Sequence, residues 1–175
     1  SVLTLMYDDN HKCNITISQE AAPSSADKLI KVIGGEATSE ETQGKDTDQN
    51  PLTLKMSYDG NKKTYFNSAF GQVSYPFSIR YELEKGHTLN SIVYTPRTDS
   101  GNKWGSFDQF TVEVSTADKP DDFVKIGDYA RGNGVHTPFT IKLSKPVEDA
   151  KFVRFIINKA YEDRVSCAEM EFYEA

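Results

Sequence analysis

At 175 residues the chain fits one domain better than two, and its 9 Tyr and 10 Phe are spread widely enough to build a sizeable core without disulfide staples. A net charge of −6 with a pI near 5.1 disfavours general binding to phosphate backbones or anionic lipid, leaving neutral ligands and cations open. No apolar run approaches the length that crosses a bilayer, which excludes membrane insertion by a helix.

Residues 1–29 hold two strand-like runs, 2–7 and 13–17, read as an added hairpin or the edge of a preceding module. Asn14-Ile15-Thr16 matches a glycosylation sequon, which counts only in a eukaryotic secretory host. Ser1 is not a natural start, so an upstream part is expected to have been removed, and missing targeting information says nothing about compartment. Residues 26–32 suggest a brief helical turn, and Gly34 to Gln49, rich in Gly, Ser, Thr, Glu and Asp, reads as loop.

From there the dominant signal is period two. Apolar and polar residues alternate strictly over 77–84, and the pattern returns at 110–115 and 139–143. Residues 152–157 are more uniformly apolar and predict a central strand, while 168–173 place Ala168, Met170 and Phe172 on one face. Turn signals at 84–87, 96–105, 118–121 and 131–134 separate the runs. Short strands at this spacing, without a convincing amphipathic helix, predict an all-β antiparallel sandwich or jelly roll over 30–175. Cys13 and Cys167 lie too far apart for a CxxC motif. They either clip neighbouring terminal strands together or are two buried free thiols.

Four ordered segments resemble the factor 5/8 C-type (discoidin-like) superfamily and its family 32 carbohydrate-binding relatives. These are 57–68, with Asp59-Gly60-Asn61; Ile92 to Arg97; Phe107 to Ser115; and Phe152 to Phe155 followed by Cys167-Ala168-Glu169-Met170-Glu171-Phe172. The version ending SCAEMEFY looks like accessory modules of bacterial secreted glycosidases and mucin-directed peptidases. The resemblance implies a galactose-binding-domain-like jelly roll, a structural Ca²⁺ in many members and a ligand site on loops at one end. Phe66 departs from the usual Trp, and Asn61 from the second acid of the metal turn.

A hard cation takes six to eight oxygens, some charged and some from backbone carbonyls. The 59–64 turn offers the Asp59 carboxylate and a Thr64 oxygen, and Gly60 permits the tight wrap. Glu169 adds a second carboxylate if the termini converge as in the family, and by resemblance the Asn61 carbonyl is a ligand. The spacing is not that of an EF-hand. An ordinary Asp-Gly turn is the competing reading.

Sugars are held by an aromatic ring under their C–H face and by forked polar groups on their hydroxyls. The single tryptophan, Trp104, sits in a polar loop just after Arg97, with Asn102 beside it. Asn67 and the 160–164 loop, with Tyr161 and Arg164, are expected to converge there, Tyr161 matching a stacking position of the family. Arg97 has an equally good structural role, Phe70 is assigned to the core, and His136 to a solvated loop. His11, His87 and His136 are scattered, and no HExxH or G-x-S-x-G motif is present, so nothing supports an enzyme.

The resulting expectation is a non-catalytic module that targets a larger secreted enzyme to glycans such as terminal galactose, GalNAc or GlcNAc. Its partners would be a glycan and the catalytic domain of its parent chain, without nucleic acid, in a secreted, periplasmic or cell-surface setting. The alternative is a structural or protein-binding spacer of the same fold that has lost its sugar site.

Overall fold

A computed structural model describes residues 2–8, 11–16, 23–24, 26–71, 73–97, 99, 103–162 and 164–175, with the backbone alone described over 2–16. Strands β1 (Val2–Asp8) and β2 (His11–Thr16) pair as an antiparallel hairpin that forms a sheet of its own. Next come β3 (Lys28–Ile30), β4 (Val32–Ala37), β5 (Glu41–Lys45), β6 (Pro51–Leu52), a 3₁₀ turn (Leu54–Ser57) and β7 (Phe66–Asn67). The long strands follow: β8 (Phe77–Leu83), β9 (Leu89–Thr95), β10 (Phe107–Thr116), β11 (Val124–Ala130), β12 (Phe139–Val147) and β13 (Ala150–Ala160). The short β14 (Ser166–Cys167) and β15 (Glu169–Glu174) close the chain.

Two antiparallel sheets face each other: five strands in the order β11-β10-β13-β8-β4, and four in the order β12-β9-β15-β3. The period-two pattern does what it predicts on β8, where Phe77, Ile79, Tyr81 and Leu83 are buried and Ser78, Arg80 and Glu82 face outward. Residues 152–157 lie in β13, the middle strand of the larger sheet. Only Val153, Phe155 and Ile157 of that run are buried; Phe152 on the other face lies under the guanidinium of Arg80, 4.5 Å from the ring centroid. Ile92, Tyr94, Ile141, Met170 and Phe172 complete the core from the smaller sheet. Tyr94 and Phe107 stack at 4.0 Å between ring centroids, and Tyr81 packs on Phe155 and Phe172.

Two local expectations are corrected. Residues 28–30 and 32–37 are edge strands instead of a helical turn, because pairing with β15 and β8 outweighs local propensity. The stretch 34–49 is not all loop: β4 runs through its start and β5 pairs with β6 near its end. Cys167 is a free, fully buried thiol, and the side chain of Cys13 lies outside the described residues.

The edges β11 and β12 are left unpaired on one side of the sandwich. At the far end of β10 they splay around an open cleft of about 570 Å³, lined by Val114, Leu143, Pro146 and Val147 among others. The opposite end of the sandwich carries the loops around Trp104, Ser68 and Tyr161.

Candidate functional site

Four loops meet at the end where β10 begins and β13 finishes. The pairing of β14 with β7 brings Ser166 opposite Asn67, and Ser68 then knits the two segments further. The Ser68 backbone N–H donates to the Val165 carbonyl at 2.8 Å, and the Val165 N–H to Ser68 Oγ at 3.0 Å. The Trp104 loop is tied down from both sides: the Gly105 N–H donates to the Tyr161 carbonyl at 2.8 Å and the Ser166 N–H to the Gly105 carbonyl at 2.9 Å. Gly105 has φ +79°, and a Cβ there would lie 2.6 Å from the Ser166 nitrogen, so both conformation and space demand glycine.

This framework leaves Trp104 standing 45% exposed at the rim. The Arg164 guanidinium lies 4.6 Å from its ring centroid and 5.7 Å from that of Phe70. Tyr161 is partly buried, with Lys103 Nζ 5.1 Å from its ring centre. Of the expected residues, Trp104 and Arg164 are therefore brought together, while the Tyr161 ring lies against Lys103 and Gly134.

Asn67 and Arg97 are placed differently. Asn67 is 0% exposed and donates from Nδ2 to the Ser68 carbonyl at 2.8 Å, so it lies beneath the loops, with Oδ1 meeting no partner among the described residues. Arg97 is 6% exposed and grips both oxygens of Asp99 at 2.7 and 2.8 Å. It also donates to the Tyr65 hydroxyl at 2.9 Å. Its fork is thereby occupied by Asp99 and Tyr65. Asn102 lies outside the described residues. Phe70 corrects the core assignment, since it is 56% exposed. Its local sequence gives no signal of this, because its support comes from β5, distant in the chain. His136 is exposed, as expected of a loop histidine.

The 59–64 turn forms a compact polar knot some distance along the same segment. Asp59 accepts from the Asn61 N–H at 2.8 Å and from Thr64 Oγ1 at 2.7 Å, and the Asn61 carbonyl accepts from Thr64 Oγ1 at 2.8 Å. Gly60, at φ +80°, donates its N–H to Glu169 Oε1 at 3.3 Å. Glu169 is buried at the start of β15, and its Oε2 has no partner among the described residues. Burial, and secondarily the negative charge of Asp59, push its carboxyl up to about 7. An unpartnered carboxylate oxygen beside a second carboxylate has the oxygen chemistry that a hard cation would need. Asp59, Asn61, Thr64 and Glu169, all sequence candidates, are thus in one place. Among the described residues no cluster of three or more His, Cys, Asp or Glu side chains surrounds any point, so further ligands here would be neutral oxygens.

Solved structures share this architecture. The chain superposes on the structure holding the CBM32-1, CBM32-2 and M60 catalytic domains of ZmpB from Clostridium perfringens with a TM-score of 0.69 and 21% identity, covering 85% of this chain and 15% of that one. It matches the family 32 module of C. perfringens NanJ, solved with galactose, at a TM-score of 0.65 and 22% identity over 81% of this chain and 93% of that one. The module CpGH89CBM32-5 from the same organism, solved with GalNAc-β-1,3-galactose, gives 0.64 and 23% over 81% and 94%. At these identities the likeness establishes the sandwich fold. Among curated proteins, none matches the chain. The sequence model of the F5/8 type C domain matches residues 36–170, and the chain belongs to that family.

Proposed function

We propose that this chain is a non-catalytic carbohydrate-binding module that holds a larger secreted bacterial enzyme, a glycosidase or mucin-directed peptidase, at glycans ending in galactose, GalNAc or GlcNAc. The observation that carries the reading is the exposed Trp104 ring with the Arg164 guanidinium beside it, on a loop end fixed by backbone hydrogen bonds. The planar Arg164 guanidinium carries donors of the kind that hold sugar hydroxyls, and it lies directly beside the exposed ring. Related modules solved with galactose and with GalNAc-β-1,3-galactose support the ligand class. A shallow site of this kind binds with Kd of about 10⁻³ to 10⁻⁵ M.

A structural calcium ion fits the turn beneath. Asp59, Glu169, the Asn61 carbonyl and an oxygen of Thr64 would hold it, and the unpartnered Glu169 Oε2 is the atom it would satisfy. When bound, such an ion supplies charge neutralisation and rigidity, with no catalytic part.

Glycan-array screening followed by calorimetric titration tests the function. The wild type is expected to bind a subset of Gal-, GalNAc- or GlcNAc-terminated glycans, and Trp104→Ala to weaken binding about tenfold or more. A silent array, together with a tight interface to a neighbouring catalytic domain, would instead mark a structural spacer.

A further inference from the structure

Phe70 is supported more elaborately than an exposed loop residue requires. Glu41, a carboxylate only 8% exposed, devotes itself to three backbone donors. Its Oε1 accepts from Gln43 at 2.9 Å and Gly44 at 2.7 Å, and its Oε2 from Phe70 at 3.0 Å. One buried carboxylate therefore clamps β5 to the loop after β7. The Ala69 N–H adds a tie to Ser39 Oγ at 3.3 Å. Beneath the ring lies Gly44, where a Cβ would meet the Phe70 ring carbons at 2.7 and 2.8 Å. The ring rests on bare backbone, and the rest of its surface stays in water.

Leaving that surface exposed forfeits about 25 cal/mol for each Å² of ring not buried, a cost that folding alone would remove by turning the ring inward. A ring immobilised in the exposed position is instead preorganised for an incoming surface, which loses less freedom on binding. Arg164 links it to the site already described, since one guanidinium lies against both Trp104 and Phe70. Both rings thus flank one guanidinium, and a ligand that contacts both must extend past it.

Resting on the reading of this end as a glycan site, we infer that Phe70 is a second sugar-contacting ring, so that the ligand is an oligosaccharide of at least two units running from Trp104 across Arg164 to Phe70. Glu41 and Gly44 are its positioning residues. The planar fork of Arg164 reaches hydroxyls of adjacent units, and the two rings carry their apolar faces.

The test is calorimetry on the whole chain with galactose, GalNAc and GlcNAc, and with the di- and trisaccharides that each terminates. The wild type is expected to bind the longer member of the preferred series roughly three- to tenfold more tightly than its monosaccharide, the scale of one aromatic contact. Phe70→Ala and Phe70→Leu should erase that increment while leaving monosaccharide affinity within about twofold. Gly44→Ala, which displaces the ring, should do the same without a matching fall in melting temperature; a purely structural role would lower both affinities together. Equal wild-type affinity for short and long ligands, or Phe70 variants that keep the increment, overturns the inference and leaves the glycan-binding reading standing. Failure of every sugar to bind overturns both.

Discussion

Glu169 shows how much one atom contributes to the reading of this molecule. Among the described residues its Oε2 is buried without a partner, and its Oε1 accepts a long contact from the Gly60 N–H. Such a carboxylate is costly unless a cation balances it. Calcium at 100 times its Kd is expected to stabilise the fold by about 2.7 kcal/mol, a rise in melting temperature of about 5–10 °C for a chain of this size. Glu169→Gln keeps the shape, removes the charge and should abolish that response. Differential scanning fluorimetry with calcium and with EDTA reads both, and an unchanged wild-type melting temperature in EDTA would sink the assignment. Arg97 and Asn67 mark the opposite lesson at this scale. Polar residue types near a loop are visible in sequence, but whether a fork is already taken, as Asp99 takes that of Arg97, depends on side-chain geometry.

Among the elements, β5 and its loop are the least foreseeable and the most telling. Residues 41–45 carry no alternation, because the strand serves as a bracket whose one buried side chain is a carboxylate. The N–H groups of Gly44, Phe70 and Gln43 hold the Glu41 carboxyl below its ordinary value of 4.5. Its folded pKa is therefore the lower one, so the stabilisation is fully present above that ordinary value and is lost as pH falls through the folded pKa. Urea unfolding from neutral pH down to about pH 3 should show wild-type stability falling more steeply than that of Glu41→Gln, and parallel curves would contradict the clamp. By contrast β8 and β10 were legible from the alternation that burying one face against a packed core demands, and β13 from an apolar run that suits the middle of a sheet. The turn at 59–64 was legible as a turn from its Asp59-Gly60 pair, and the exposure of Trp104 because it is the single tryptophan in a polar loop. Phe70 was not, because an aromatic after a short strand looks like core until its distant bracket is known.

At the scale of the whole molecule, the sandwich is asymmetric along its long axis. Its loop end is cross-tied by backbone hydrogen bonds among 68, 105, 161, 165 and 166, and its centre by the stacked rings of Tyr94 and Phe107. The other corner is different. β11 has no fully buried residue, and β12 pairs with β9 regularly only through Lys142 before its register shifts, with Pro146 lacking an N–H in the unpaired stretch. Local opening is cheapest where backbone bonds meet water and few apolar contacts close over them. Amide deuterium exchange should therefore sweep through β11 and the later half of β12 first and reach β8 and β13 last, and uniform protection across both edges would refute this gradient. The cleft between those two edges is then expected to act as a fuse for the fold: unzipping should begin there, about 30 Å along β10 from Trp104, so early thermal damage should spare the loop end until the central strands themselves let go.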